Sequence, residues 1–161
     1  MVAAVSASTR TVIIVTPYFL PDATLVRALT NAAIRGVDVR IYLPSKNNLP
    51  LVAWASSAEF ATLLERRVRI FTTAPPFDHT KLMVVDGIWS LIGSTNWDPR
   101  SLRLNFEFNV ECYDAPLGQE LNMLAREKER DSHEVTLNEV NTQHPVIRFR
   151  NGVARLLSPY L

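Results

Sequence analysis

Strand and helix signals alternate along the first part of the chain, and this alternation restricts the fold more than any other feature. Residues 11–16 form a run rich in β-branched side chains, typical of a strand buried on both faces. Asp22 can cap a helix over residues 23–35, Gly36 stands where that helix should end, and residues 37–43 predict a second strand. This order is typical of a parallel crossover unit.

The alternation continues through most of the remaining sequence. It predicts a helix over residues 51–66, a third strand at 68–71, and a hairpin whose strands, 81–86 and 88–92, flank the turn Asp86-Gly87. A further strand is expected over 105–113, and helices over 116–131, near 137–140 and over 145–157. We therefore expect an α/β fold, with a mixed β-sheet flanked by helices in a single domain over residues 1–161.

Composition narrows the function classes. The chain has 161 residues, 47% of them hydrophobic and 20% charged, which is typical of a soluble globular domain. Its 17 basic and 16 acidic residues give a net charge of +1, so no bulk positive field favours nucleic acid. Cys112 is the only cysteine, which excludes an internal disulfide. No apolar run is long enough for a spanning helix, and the N-terminus lacks the features of a signal peptide.

Four polar residues around the predicted hairpin suggest a phosphate site. His79 and Lys81 are two residues apart, so on an extended segment they share a face. The returning strand brings Ser94 and Asn96 back to the same level. An imidazole can attack phosphorus or donate a proton, while an ammonium, a hydroxyl and an amide can hold the oxygens of a phosphate ester.

The spacing of these residues resembles a known family motif. Residues 79–96 read H-x-K-x4-D-x6-G-S-x-N, with Asp86 and Gly93 at the remaining fixed positions. This pattern is similar to the HKD motif of the phospholipase D superfamily. Residues 16–22, 35–40, 100–107 and 154–159 resemble the C-terminal half of bacterial cardiolipin synthases. One departure is the segment 65–68, where the family more often places a glycine before the valine.

The resemblance implies a mechanism and roles for the site residues. Histidines of two HKD motifs face each other; one forms a phosphohistidine, and the other protonates the leaving alkoxide and later deprotonates the incoming alcohol. By similarity, Lys81 and Asn96 bind phosphate oxygens with Ser94 in support. Glu107 matches the acidic residue that orients a histidine, by resemblance that of the opposite half. Asp86 matches the motif aspartate, whose role looks more structural. His79 can be the nucleophile or the general acid.

The expected activity is that of a phosphatidyl transferase. Two molecules of phosphatidylglycerol would give cardiolipin and glycerol, and water in place of the acceptor would give a phospholipase D-type phosphodiesterase. One alternative is a nuclease that builds its site from two copies of a single-motif chain, although the near-neutral charge disfavours nucleic acid. Another is an inert half, because one chain supplies one histidine, one lysine and one asparagine to a mechanism that needs two of each.

The resemblance also implies partners and a location. The second HKD half would come from a missing N-terminal region or from a homodimer partner. The phospholipid substrate implies peripheral contact with the cytoplasmic face of the bacterial inner membrane. No metal or other cofactor is expected, since Asp78, His79 and Asp86 match no standard ligand spacing.

Several candidate residues also have simpler interpretations. Asp86 can serve only as a turn residue before glycine, Ser94 and Asn96 can stabilise a turn, and Glu107 can be a paired surface carboxylate. His133 and His144 lie in polar, helical context and are expected at the surface. The aromatic residues are mostly expected in the core, but three of them stand in loops near strand ends, where they could contact lipid: Tyr18, Phe19 and Phe77.

Overall fold

The computed structural model describes residues 1–158. Its helices are α1 (Val2–Ala7), α2 (Ala23–Ile34), α3 (Pro50–Ser57), α4 (Phe60–Glu65), α5 (Pro99–Arg103), α6 (Ala115–Glu127), α7 (Leu137–Asn141) and α8 (Pro145–Leu156). Its strands are β1 (Thr11–Val15), β2 (Asp38–Pro44), β3 (Arg69–Thr73), β4 (Leu82–Val85), β5 (Trp89–Gly93), β6 (Asn109–Tyr113) and β7 (Ser132–Glu134). A 3₁₀ turn, Lys128–Asp131, follows α6.

The strands form one mixed sheet in the order β6-β5-β4-β1-β2-β3-β7. Strands β1, β2 and β3 run parallel, as crossover connections through helices require. Strand β4 pairs antiparallel with β1, β5 with β4 and β6 with β5, and β7 pairs antiparallel with β3. The prediction of a mixed sheet flanked by helices is therefore confirmed.

Strand β1 is the centre of the sheet and is buried on both faces, as its β-branched sequence predicts. Val12 and Ile14 belong to the apolar cluster that includes residues of α2 and α4. Ile13 and Val15 belong to a second cluster, which Ala125 of α6 joins. The sheet thus has a helical layer on each side, and β4, its antiparallel neighbour, starts at the end of β1.

The Asp86-Gly87 turn closes the β4–β5 hairpin as predicted. Asp86 has φ 55° and Gly87 φ 67°, so both residues adopt the left-handed conformation that tight hairpins need. Val85 pairs with Trp89 on the two strands that flank the turn. This register carries the chain from β4 back along β5 towards the edge of the sheet where β4 began.

The predicted helix over residues 51–66 is divided into α3 and α4. The amides of Ala58 and Glu59 bond to carbonyls three residues earlier, and this tighter turn ends α3. The Glu59 carboxylate is buried and forms an ion pair with Arg155 of α8. A buried carboxylate needs a charged partner, and here that partner comes from a distant helix. The apolar periodicity of residues 51–66 contains no sign of this contact, so it did not predict the break at Glu59.

Further differences concern the start of β6 and several short elements. The strand predicted over 105–113 begins only at Asn109, because residues 104–108 form an exposed loop that bonds to Ser94. Helix α1, helix α5 and the three-residue strand β7 were not predicted. His133 lies in β7 rather than in a helix, although it is exposed as expected, and His144 caps α8. Such short elements carry too few residues to show a period.

Candidate active site

The candidate site lies at the edge of the sheet where the parallel strands end. The loops that follow β1 and β3 reach this edge, and the antiparallel strands bring the start of β4, the end of β5 and the start of β6 to it. Gly93 at the end of β5 donates its amide hydrogen to the carbonyl of Lys81. Ligands of α/β proteins bind at this end of the strands.

His79 stands on the loop between β3 and β4 with its side chain exposed. The rings of Tyr18 and Phe77 flank it, with centroids 6.1 Å and 5.9 Å from the imidazole centroid. Asp78 ties this loop to the end of α6, because its carboxylate accepts hydrogen bonds from Lys128 Nζ at 2.7 Å and from the Thr80 amide at 2.9 Å. Burial opposes ionisation, but these hydrogen bonds outweigh it, so the pKa of Asp78 lies below its usual value.

Lys81 folds back onto His79. Its ammonium nitrogen lies 3.0 Å from His79 Nδ1, 3.3 Å from Nε2 and 2.9 Å from the backbone oxygen of the same residue. Burial lowers the pKa of Lys81, and the carboxylates of Glu107 and Asp98 partly oppose that shift. The imidazole and the ammonium therefore face one space, as the two-residue spacing predicts.

Ser94 and Glu107 form a hydrogen-bonded pair next to Lys81. The Ser94 hydroxyl donates to Glu107 Oε2 and accepts from the Phe108 amide at 3.0 Å. Asn105 Nδ2 donates to the other carboxylate oxygen at 3.2 Å. The hydrogen bond from Ser94 lowers the pKa of Glu107, so this carboxyl group carries its negative charge at neutral pH. No hydrogen bond links Glu107 to His79 among the residues that the structure describes.

Asn96 follows β5 and is held by α5. Its Nδ2 donates to Ser101 Oγ at 3.2 Å, while its Oδ1 is buried without a hydrogen-bond partner in the described part of the chain. Asp98 caps α5 by accepting from the Ser101 amide at 2.7 Å. Sequence reasoning missed Asp98 and Ser101, although an aspartate followed by Pro99 is a helix-start signal.

Gly93 permits the close approach of β6 to the motif. A Cβ atom at this position would lie 2.2 Å from Asn109 Oδ1 and 2.4 Å from the Phe108 carbonyl oxygen. No side chain fits there, so only glycine lets β6 bring the loop with Glu107 next to Ser94. This contact explains why the motif has a glycine before the serine.

Asp86 lies apart from the other motif residues. The four residues of β4 separate it from the His79 end, a span of about 13 Å at 3.3 Å per residue. Its Oδ1 accepts from the amides of Arg10 and Thr11, and its Oδ2 from the amide and hydroxyl of Thr9, at 2.7–2.9 Å. Burial would raise the pKa of Asp86, but the hydrogen bonds from this segment outweigh it and hold the pKa below its usual value.

The aromatic residues only partly follow the lipid-contact hypothesis. Phe19 is 1% exposed, so the hypothesis is wrong for this residue: its ring is buried in the core with Trp97. Tyr18 is mostly buried and donates its hydroxyl to Asn48 Oδ1 at 2.6 Å, whereas Phe77 remains exposed beside His79. The sequence places all three aromatic residues in loops near strand ends, but it does not distinguish the buried rings from the exposed one, because burial depends on which strands surround each loop.

No cluster of three or more metal-ligating side chains occurs in residues 1–158. Asp78, His79 and Asp86 do not converge, since Asp78 pairs with Lys128 and Asp86 binds the start of β1. An imidazole, an ammonium and a hydroxyl bonded to a carboxylate lie together, and the Asn96 amide follows two residues beyond that hydroxyl. This set can hold the oxygens of a phosphate diester and place a nitrogen against phosphorus.

Comparison with known proteins identifies the family. Residues 1–127 match the model described as the cardiolipin synthase, phospholipase D-like domain. The chain belongs to this family. It is 37% identical over 158 residues to cardiolipin synthase 1 of Staphylococcus epidermidis, covering 98% of this chain and 32% of that protein. It is also 37% identical over 157 residues to the cardiolipin synthase of Listeria monocytogenes, covering 98% and 33%. The chain spans about a third of the length of these cardiolipin synthases.

Solved structures confirm the phospholipase D-like fold. Nuc from Salmonella typhimurium, a phospholipase D family member, superposes with a TM-score of 0.73 at 19% identity, covering 84% of this chain and 88% of Nuc. Phosphatidylserine synthase from Haemophilus influenzae gives a TM-score of 0.75 at 18% identity, covering 99% of this chain and 44% of the synthase. Within residues 1–158, no helix is both long enough and apolar enough to cross a membrane.

Proposed function

We propose that the chain is one catalytic half of a cardiolipin synthase-like phosphatidyl transferase. The reaction converts two phosphatidylglycerol molecules into cardiolipin and glycerol. The observation that carries the proposal is the grouping of His79, Lys81 and the Ser94–Glu107 pair at one edge of the sheet, with Asn96 two residues beyond Ser94. The similarity to cardiolipin synthases along 98% of the chain supports the choice of a lipid phosphodiester.

Lys81 and Asn96 bind the phosphate of the substrate. The Lys81 ammonium neutralises charge on a non-bridging oxygen, and it exchanges its contact with the His79 ring for the phosphate when the lipid enters. Asn96 Nδ2 has two hydrogens and uses one of them for Ser101, so the other is available for a second oxygen. Because α5 fixes this amide before binding, little reorganisation is needed.

The transfer proceeds by two displacements at phosphorus. The nucleophilic histidine forms a phosphorus–nitrogen bond while the bond to the headgroup glycerol breaks, and the other histidine protonates the leaving alkoxide. A hydroxyl group of the second phosphatidylglycerol then gives its proton to that histidine and attacks phosphorus, which releases the first histidine. His79 takes one of these roles and the histidine of the second half takes the other.

The second half covers the loop that carries Glu107. Four exposed apolar side chains surround this carboxylate along the loop and the edge strand β6: Leu104, Phe106, Phe108 and Val110. Phe106 is fully exposed and Phe108 is 74% exposed, so a partner surface here would remove a large apolar area from water. Glu107 accepts from Ser94 and Asn105 within its own chain, and it is placed to accept also from the opposite histidine.

A cavity of about 420 Å³ beside Asn96 receives the glycerol backbone and upper acyl chains of the lipid. Tyr18 and the segment 49–52 form its apolar wall, while Arg100 and Asn105 line its polar side. Such a division between apolar and polar walls suits a lipid headgroup region. We also propose that the enzyme associates peripherally with the cytoplasmic face of the bacterial inner membrane, where this substrate is present.

The test uses the chain alone and the chain joined to the first-motif half of a related cardiolipin synthase. Each protein is incubated with phosphatidylglycerol vesicles, and cardiolipin and glycerol are measured. We expect both products from the two-motif enzyme and their loss in His79→Ala. His133→Ala is the matched control, because His133 is an exposed histidine on β7 and should keep full activity.

The absence of both products from the two-motif enzyme would refute the proposal. Release of glycerol with phosphatidic acid instead of cardiolipin would show a hydrolase, with water as the acceptor. Cleavage of plasmid DNA in chelator that depends on His79 would instead assign the site to a nuclease. For the chain alone, light scattering decides whether activity arises from a dimer.

A further inference from the structure

Helix α8 is covered on one face by the domain, and a second face, which is apolar, is not covered within the described residues. It packs against α3 through Asn151 and Ala154, which are 5% and 2% exposed. The Arg150 guanidinium stacks over the Trp54 ring of α3 at 4.3 Å from its centroid, and Arg155 forms an ion pair with the buried Glu59. These contacts hold the helix in a fixed orientation on the domain.

The opposite face of α8 is an apolar stripe open to solvent. Val146, Phe149, Val153 and Leu156 are 67%, 75%, 44% and 78% exposed. At 100° per residue they occupy a sector of about 80° centred opposite Asn151. A face that only had to be soluble would carry polar side chains here, so this stripe indicates a partner surface. No element of residues 1–158 covers it.

The charge of this segment indicates the partner. Residues 144–158 contain three arginines and no aspartate or glutamate, although the whole chain has a net charge of only +1. Arg148 and Arg150 lie on either side of the stripe. Basic residues beside an exposed apolar helical face are typical of helices that lie in the interface of a bilayer with anionic headgroups.

The second catalytic half is the other candidate occupant, and it has its own surface. The apolar patch that includes Phe106 and Phe108 surrounds Glu107, which in the proposed function faces the opposite histidine, and it carries the carboxylates of Glu107 and Glu111. The stripe on α8 has arginines instead. Carboxylates disfavour contact of the β6 patch with an anionic bilayer, whereas the arginines beside the stripe on α8 favour it, so the stripe is the better candidate for the lipid surface.

We propose that the outer face of α8 is the surface through which this protein binds an anionic phospholipid bilayer. Phe149, Leu156 and their neighbours enter the headgroup layer, and Arg148, which is exposed beside the stripe, contacts lipid phosphates. The choice of an anionic phospholipid rests on the proposed function, whereas the uncovered apolar face of α8 is observed independently of that function. The stripe deepens that function by holding the protein at the surface in which its substrate lies.

Sedimentation with vesicles tests the proposal and needs no catalysis. We expect the full chain to bind phosphatidylglycerol/phosphatidylcholine vesicles and to bind pure phosphatidylcholine only weakly. The double variant Phe149→Ser/Leu156→Ser should lower partitioning by about tenfold or more, since each side chain loses its apolar burial in the bilayer. The double variant Phe106→Ser/Phe108→Ser removes two rings that are 109% and 74% exposed elsewhere on the surface, and it should bind vesicles like the wild type.

A second variant keeps the test decisive if the serine pair disturbs folding. In Phe149→Trp, quenching of the added fluorescence by brominated phosphatidylglycerol is expected, and its absence would overturn the proposal. Equal binding to vesicles with and without phosphatidylglycerol would also overturn it. So would a dimer that becomes monomeric in Phe149→Ser/Leu156→Ser while vesicle binding is unchanged, because a second copy would then cover the stripe. Vesicle binding without any cardiolipin formation would support the role of α8 in membrane binding and would count against the proposed reaction.

Discussion

Replacing Asp86 by asparagine should separate structural from chemical roles within the HKD motif. In the wild type, Asp86 Oδ2 accepts two hydrogen bonds from Thr9, and Oδ1 accepts one each from Arg10 and Thr11. An amide group can replace only one of these oxygens as an acceptor, so two of the four bonds are lost. Asparagine tolerates the φ of 55° at this position, so the turn itself adds little cost.

The expected loss of stability follows from those bonds. Each is worth about 1 kcal/mol net, and somewhat more because the acceptor is charged, so Asp86→Asn should lower the free energy of unfolding by about 2–3 kcal/mol. For a chain of this length, that corresponds to a fall in Tm of roughly 5–10 °C. Asp131→Asn is the matched control, since Asp131 is exposed on the 3₁₀ turn, and should change stability by less than about 0.5 kcal/mol.

The pH dependence gives the same prediction a second readout. The folded state holds the pKa of Asp86 below its usual value, so the stabilisation that this carboxylate provides is present above the pKa of the unfolded chain. It is lost as the pH falls through the lower, folded pKa. Urea unfolding of wild type and Asp86→Asn should therefore show a constant gap between about pH 5 and 8 that narrows below about pH 4.

The opposite pattern would refute this reasoning. If Asp86→Asn were as stable as the wild type but abolished cardiolipin formation in the two-motif enzyme, Asp86 would act in the chemistry and not through the segment 9–11. A stability gap that persisted unchanged to pH 2 would also contradict the role of the ionised carboxylate.

Four further substitutions test other contacts. Arg67, at the end of α4, has φ 67°, and the amide-to-carbonyl bonds around it match those around Gly36 after α2. Arg67→Gly should therefore raise the free energy of unfolding by about 1 kcal/mol. Gly36 has φ 95°, so Gly36→Ala should lower the free energy of unfolding by a similar amount. Thermal unfolding measures both, and a destabilised Arg67→Gly would contradict the argument. Gly93→Ala should displace β6 and lower both Tm and cardiolipin formation, whereas a fully active Gly93→Ala would show that the close approach is dispensable. Lys128→Met removes the ammonium group that bonds to Asp78, so it should raise the pKa of the Asp78 carboxyl and loosen the loop that carries His79. NMR titration of that carboxyl measures the first effect, and hydrogen exchange in residues 74–81 measures the second. An unchanged titration of Asp78 would contradict the prediction.

Some of the fold and part of the geometry of the candidate site could be predicted because they depend on local spacing. The buried strand β1, the helix capped by Asp22 and the turn at Gly87 follow from side-chain period and backbone conformation within a few residues. The motif spacing also indicates that His79 and Lys81 share a face, because side chains alternate along an extended segment. The departure at residues 65–68 is explained in the same local terms, since Arg67 occupies a left-handed position.

Other features of the fold and of the candidate site could be described only from the tertiary structure. Phe19 stands in a loop like Phe77, and only the packing of α2 and the sheet decides that one ring is buried and the other exposed. The separation of Asp86 from the other motif residues likewise results from the straight course of β4, and its hydrogen bonds reach back to residues more than 70 positions earlier.

Covalent order and strand period act locally, so the amino-acid sequence alone establishes which polar groups belong to the motif and at what spacing. Which of these groups contact one another follows from the tertiary structure. The contacts from Lys128 to Asp78 and from Glu107 to Ser94, like the apolar stripe that α8 leaves uncovered, depend on segments far apart in the chain being folded against one another. Such distances are set by the packing of the whole sheet and its helices, and no local pattern encodes them.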